Sequence, residues 1–423
     1  MQKITRLSLA PGVFMTCIAT DRFKTAVFSA ALALPLREEN APFAVLPPLL
    51  YRGTAAHPDL AALGETLDTL YGARIEPYVR KVGESLVLGF LSDVIDGACV
   101  PDGDALAERT AALLGELICR PALENGRFRP DDLAAERANL CDRIAALPND
   151  PRGWAVRRAK ELMCAGEPFG ACEFGTGAGA RALTADAVWD AYQTALREAR
   201  VELFYCGSME PGAVRDAFSR ALELADTGLR YQPDPDVCRI RRADRTIVEE
   251  MPVKQGKLTL GFRTNCIAGD EDYPALLLFN AAFGGYTGSR LFRTVREKLS
   301  LCYYASSALD KVKGLMLVSS GIENESFERA RGEILRQFED LRAGGLKQDE
   351  LDRARRTVQN NLRAMQDSPL QLERFWQGQM LAGADASPDE LIARLGAVDR
   401  GQVMAVGRRI DLDLTYFLKG VAE

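Results

Sequence analysis

An arginine and a tyrosine seven residues apart, Arg296 and Tyr303, end a stretch that opens on three glycines, Gly284, Gly285 and Gly288. A guanidinium is a rigid fork of donors and a phenol carries one hydroxyl at the end of a flat ring, so together they can hold a carbonyl or a carboxylate. The glycines leave the backbone clear of side-chain obstruction, and Ser289 has the chemistry of an N-cap. Leu291, Phe292, Val295 and Leu299 recur at a helical period that would turn them to a core, while Ser289, Arg293, Arg296 and Ser300 fall on another face. The apolar, aromatic run Leu301–Tyr304 reads as a strand entered directly from the helix, which returns Tyr303 towards Arg296. Spacing alone leaves the plainer alternative open: a solvated arginine on an amphipathic helix and a core tyrosine with a wet hydroxyl.

Other chemistry is poorly supplied. The one histidine, His57, stands ahead of Pro58 in an expected loop and reads as an ordinary surface residue. One imidazole cannot make a two-histidine metal site, and nothing identifies a partner for a Ser-His-Asp or Cys-His arrangement. The glycine-dense run Gly175-Thr176-Gly177-Ala178-Gly179 lacks the Gly-Lys-Ser/Thr ending of a phosphate loop and reads as a connector. Paired acids such as Asp131–Asp132 and Glu249–Glu250 suit solvated helix starts and strand edges. The ten cysteines include no Cys-x-x-Cys pair and mostly lie in apolar runs, as buried thiols do in a reducing cytoplasm. A net charge of -6, with 53 Lys and Arg residues spread along the chain, argues against a nucleic-acid partner. No apolar run of about 18 residues is present, so no membrane span is expected.

The elements that must position these residues fall into two similar sets. At 423 residues and 47% hydrophobic content the chain is expected to form two domains. In the first half, Thr25–Leu36 reads as a buried strand, Phe43–Tyr51 as an apolar helix despite its prolines, and Leu60–Leu70 as a helix leading to strands at 74–82 and 85–91. Further helices are expected over Asp104–Ile118, from Pro130 to Ile144, and from a cap at Thr184, followed by a strand at Val201–Cys206. Residues 226–245, with Pro233, Pro235 and many charges, read as a linker between domains at 1–225 and 246–423. The second half repeats the order: a strand at Leu258–Phe262, a helix at Pro274–Phe283, the opening stretch, a helix carrying Phe327, Ile334, Leu335, Phe338 and Leu341, long helical segments to Trp376, and a strand at Leu412–Leu418. The expected fold is α+β, in two homologous lobes, each a largely antiparallel sheet with helices packed on one face.

The Gly-rich loop, the Ser289-Arg290-Leu291-Phe292 sequence and the Arg296, Tyr303 pair resemble the C-terminal half of the insulinase, pitrilysin and mitochondrial processing peptidase superfamily. The repeated order of elements extends the resemblance to nearly the whole chain and implies the two halves of a peptidase clam-shell. It implies that Arg296 and Tyr303, with Gly284, Gly285 and Gly288, bind peptide, and that metal ligands belong to the other half. Active members carry an inverted motif, His-x-x-Glu-His, running into an aromatic-basic-Gly-Thr sequence; Tyr51-Arg52-Gly53-Thr54 places those positions at Ala44, Val45, Leu46, Pro47 and Pro48. None of these can bind zinc. The distal glutamate falls on Arg143, or on Asp142 if the register slips by one, and an arginine there could supply the missing cation's charge. Leu70-Tyr71-Gly72-Ala73 and Leu123-Glu124-Asn125-Gly126 resemble the bacterial subfamily associated with 5-aminopentanol modification of elongation factor P.

The resemblance therefore implies a cytoplasmic, non-catalytic subunit that has no catalytic residues and no cofactor. It would bind peptide beside a paralogous subunit bearing the zinc, and pair with itself when alone. A structural subunit without peptide binding, or an enzyme with an unrecognised site, are the alternatives.

Overall fold

The computed structural model describes residues 3–101, 103–224, 230–234 and 244–421. Most of the expected linker lies outside the described residues; 230–234 has no regular structure. The strands in chain order are β1 (Lys3–Ala10), β2 (Val13–Ala19), β3 (Thr25–Pro35), β4 (Arg74–Val82), β5 (Ser85–Ile95), the short hairpin β6 (Leu123–Glu124) and β7 (Arg127–Phe128), β8 (Arg200–Gly207), β9 (Arg245–Met251), β10 (Gly256–Arg263), β11 (Tyr304–Asp310), β12 (Leu315–Ile322) and β13 (Asp411–Gly420). They form one sheet in the order β1-β2-β8-β3-β5-β4 and another in the order β11-β12-β10-β13-β9.

Read from its other end, the second sheet repeats the first without β1. The correspondence extends to strand direction: each sheet has one parallel pair, β2 with β8 and β9 with β13, and is antiparallel elsewhere. These are two copies of one α+β unit, as the sequence predicts.

The middle strands are buried along nearly their whole length, because both of their faces are covered. In the first sheet Phe28, Ala30, Leu32 and Leu34 face a core shared with the helix Gly103–Cys119, whose Leu106, Leu113, Leu114, Leu117 and Ile118 are buried at the predicted spacing. Thr184 caps the helix Ala185–Glu198 by accepting from Ala187 N at 3.2 Å. In the second sheet Phe262 packs with Phe338, which also meets Phe279 and Phe283. The opposite face carries Leu315, Leu317, Leu414, Tyr416 and Leu418, and Ala155, Ala159 and Met163 of the helix Pro151–Met163 pack there.

That helix comes from the first half of the sequence. The compact units are Met1–Ala145, Ala171–Pro233 and Pro369–Gln377 on one hand, and Ala146–Gly170, Asp234–Ser368 and Gly378–Glu423 on the other. Each half of the sequence thus lends the other a helical segment to close the second face of its sheet. Both segments are held by buried charge. In the first unit Glu373, 1% exposed, accepts from Arg80 Nη1 at 3.0 and 2.8 Å and from Ser29 Oγ at 3.2 Å. In the second, Glu167 accepts from Arg263 Nη2 at 2.6 Å and pairs with Lys313 Nζ at 2.7 Å, while Arg263 Nε reaches Asp413 at 2.6 Å. Burial opposes the charge on Arg263, and the hydrogen bonds to Glu167 and Asp413 outweigh it, so its pKa is pushed up.

Removing one member of such a group takes a charge-assisted bond from partners that stay buried. Glu167→Ala, which takes a 2.7 Å ion-pair partner from the fully buried Lys313, is expected to cost about 3–5 kcal/mol in the unfolding transition of the second unit. Urea denaturation measures the cost, and limited proteolysis is expected to cut within 146–170 first.

Lys311, in the β11–β12 turn, is pushed down to about 8 by burial. Its proton is therefore bound more weakly in the folded chain, and folding is penalised below that pKa. The stability of the wild type relative to Lys311→Met is expected to rise between about pH 8 and pH 10.5 and to be flat below that window. Paired denaturation curves at pH 7 and pH 10 check the sign.

Candidate functional site

The region around Arg296 is built from helices wound wider than an α-helix. Residues Ala281–Gly285 and Leu291–Lys298 bond at a five-residue interval, as Leu299 N does to Thr294 O at 3.0 Å. Gly284 and Gly285 therefore lie in a helical turn and not in an open loop. A Cβ on Gly284 would come within 2.7 Å of Ser307 N in β11, so close approach of backbone to strand explains this glycine. A Cβ on Gly288 would collide with the ring of Tyr286.

The wide winding also moves the side chains away from the expected α-helical register. Leu291 and Val295 are buried as expected, but Leu299 is 39% exposed. Arg293 and Arg296 do not share a face: Arg296 lies 4.6 Å over the ring of Phe292, whereas Arg293 lines a cavity with Arg290 and Lys298. Ser300, with φ of 49°, turns the chain out of the helix, and residues 301–303 are not a strand; β11 begins at Tyr304. Tyr303 is anchored through its backbone, N to Gly321 O at 3.0 Å, and its side chain is 67% exposed, so it is not a core tyrosine. Among the described residues neither the Arg296 guanidinium nor the Tyr303 hydroxyl has a hydrogen-bond partner. Burial raises the pKa of the intervening Cys302 thiol, and a hydrogen bond with Ser320 and the positive charge of Arg296 act in the opposite direction.

At the expected metal positions the predicted single helix is two, Ala41–Ala44 and Leu46–Leu50, parted at Val45. Pro47 and Pro48 have no N–H to give to the carbonyls of Phe43 and Ala44, which is the physical reason for the break. Ala44 and Pro47 are buried. Arg143 is exposed on the helix Pro130–Ala145 and lies 5.5 Å over the Phe174 ring. The cation that meets a carboxylate here is Arg52, whose Nε donates to Glu136 Oε1 at 2.6 Å, with Asn139 Nδ2 donating to Oε2 at 3.2 Å. Both oxygens of Glu136 are thus engaged, and its side chain is 8% exposed. Ala44, Pro47 and Pro48 bring no donor atoms and Arg143 brings a positive charge, so this group does not fit a zinc ion. Among the described residues no group of three or more His, Cys, Asp or Glu side chains could hold a metal ion.

His57 is not the plain surface residue expected. Its Nδ1 lies 3.1 Å from Glu116 Oε2 and 3.2 Å from Thr54 Oγ1, and its backbone N–H donates to that hydroxyl at 3.0 Å. Thr54 is wholly buried and bridges to Pro121, so this triangle pins the 53–57 turn to the chain around 116–122. Five of the nine described cysteines are buried, Cys99 is exposed, and all nine are free thiols.

The chain itself is similar to known proteins. Residues 182–358 match the family profile described as Peptidase M16 inactive domain. The probable inactive metalloprotease YmfF of Bacillus subtilis (strain 168) is 32% identical over 410 residues, which cover 97% of this chain and 96% of that protein. This chain belongs to the M16 peptidase family. A conserved protein from Enterococcus faecalis V583 shares the fold, with a TM-score of 0.88 and 26% identity over 99% of each chain. The M16 inactive-domain protein of Pseudomonas fluorescens matches at 0.80 and 17%, a likeness of fold alone. A zinc protease of uncharacterised role from Streptomyces coelicolor is 25% identical over 70% of this chain. The chain is thus a homologue of inactive M16 peptidases.

If residues 44, 47, 48 and 143 are the family's metal positions, restoring them should restore binding. Ala44→His, Pro47→Glu and Pro48→His together are expected to gain no stoichiometric zinc, because Arg143 repels the ion. Adding Arg143→Glu is expected to tighten zinc about tenfold or more, by isothermal titration with metal analysis. An unchanged affinity would put the distal position elsewhere.

Proposed function

We propose that this M16 homologue is the non-catalytic, substrate-binding subunit of a heterodimeric zinc-dependent peptidase. The observation that carries the reading is the contrast between its two candidate sites. The positions expected to hold a metal carry Ala44, Pro47, Pro48 and Arg143, none of which supplies a donor atom for one. By contrast, Arg296 and Tyr303 project outward with their donors uncommitted.

Zinc in a paralogous partner would supply the activated water and the charge that polarises a peptide bond. This chain's residues would do the holding. Arg296 offers a two-pronged donor set to a substrate carbonyl, and Tyr303 a further hydroxyl, and contacts that tighten as negative charge grows on that oxygen favour the transition state. Stacking on Phe292 limits the swing of Arg296, so less freedom is lost when peptide arrives. Most described cysteines are buried free thiols, which suits a cytoplasmic setting. In the partner's absence the chain would pair with a second copy. The sequences at 70–73 and 123–126 support a link to the modification of elongation factor P.

The test is co-expression with a paralogue that has an intact inverted zinc motif. Arg296→Ala is expected to lower kcat/KM for peptide cleavage about 10- to 100-fold and Tyr303→Phe about tenfold, with the partner's zinc content unchanged. Cleavage undiminished by Arg296→Ala would sink the proposal, as would peptide hydrolysis by this chain alone.

A further inference from the structure

Arg293 and Lys298 of the widely wound helix Leu291–Lys298 turn to one hollow, while Arg296 lies over Phe292. They form one wall of a cavity of about 580 Å3, completed by Arg336 and Asp340 from the helix Phe327–Asp340 and by Lys347 and Glu350. Arg290 is its floor. This arginine is 9% exposed; its Nη1 donates to Asp340 at 2.5 Å, its Nε and Nη2 to Glu350 at 3.1 and 2.9 Å, and Nη2 also to the Gly345 carbonyl. Both carboxylates that line the cavity are therefore already held by a cation beneath them.

The remaining charge is all of one sign. Arg336 is held by Glu333 at 2.7 and 2.8 Å. Among the described residues Arg293 and Lys347 make no ion pair. Lys298 makes none either, although its field helps to hold the Glu333 carboxyl below the usual carboxylate range, after the larger effect of the Arg336 hydrogen bond. Five cations thus face two carboxylates in one concavity of a chain whose net charge is -6. Gathering like charges in a hollow costs stability and raises the local concentration of anions.

We infer that this cavity binds an acidic peptide segment, with carboxylate side chains seated on Arg293, Lys298 and Lys347. A peptide fits better than a single phosphate. The cations come from separate elements on long stems and spread across the hollow, whereas a phosphate cradle converges backbone N–H groups on one point. The guanidinium of Arg293 matches a carboxylate in two-pronged geometry, and the two ammonium groups accept carboxylates from a range of directions. The inference stands on the cavity and its charges, independently of any zinc-bearing partner, so it survives or fails separately from the role proposed for Arg296.

Fluorescence anisotropy of labelled hexaglutamate with the full-length chain tests it. Binding is expected to weaken about tenfold between about 20 and 200 mM salt, and hexaserine and hexalysine are expected not to bind. Arg293→Glu, Lys298→Glu and Lys347→Glu together are expected to weaken hexaglutamate about tenfold or more. Reversal of three exposed arginines outside the cavity (Arg356→Glu, Arg400→Glu, Arg408→Glu) is expected to change it less than about threefold, although the net charge changes equally. An equal loss in that control set overturns the site, as does unchanged binding in the cavity variant. Inorganic triphosphate binding where hexaglutamate does not would also overturn it, in favour of a phosphate site. Should the triple cavity variant fail to fold, Lys347→Glu alone, at an exposed position, is expected to lower the affinity about threefold, and no change there refutes the proposal.

Discussion

A sheet with two apolar faces needs two covers, and the helices local to each half of this chain supply one. The second cover for each sheet is a segment from the other half of the sequence, 146–170 for one and 369–377 for the other. Buried charge fixes each at a single register: Glu373 with Arg80 and Ser29, and Glu167 with Arg263 and Lys313. Apolar packing between a helix and a sheet tolerates sliding, but a carboxylate that is 1% exposed does not, because any displacement leaves it unpaired in a medium that solvates it poorly. Neither half of the sequence therefore completes its own unit, and deleting either exchanged segment would uncover an apolar sheet face in the unit it closes.

The same economy of small steric facts shapes the two candidate sites. Near residue 45, two prolines remove two helical hydrogen bonds and divide one helix into two. Near residue 295, widened helical turns redistribute a basic helix so that Arg296 stacks on Phe292 while Arg293 and Lys298 turn to a separate hollow. One short helix thereby presents two chemically different surfaces. An α-helix of the same sequence would have merged them.

The Arg52–Glu136 pair shows how a buried carboxylate is compensated in this unit. A carboxylate buried on the helix Pro130–Ala145 still requires positive charge nearby, and the guanidinium that follows the broken helices provides it with hydrogen bonds that a bare charge could not. Arg143, the residue that alignment puts forward for this role, points instead to solvent and to Phe174.

Much of the architecture was legible in the residues themselves. Apolar spacing located the helix at 103–119 and the strands β3, β8 and β10, the repeated order of elements revealed two copies of one unit, and the side chains at 44, 47 and 48 carry no metal-donor atoms. Each of these follows from local period or from atom type, which sequence states outright. Tertiary structure alone decided which sheet each helix covers, that Arg52 and not Arg143 meets Glu136, that Tyr303 lies outside the strand, and that Arg293 and Arg296 part company. Those outcomes depend on contacts between residues up to hundreds of positions apart, and on a winding of five residues per hydrogen bond that an α-helical period cannot anticipate.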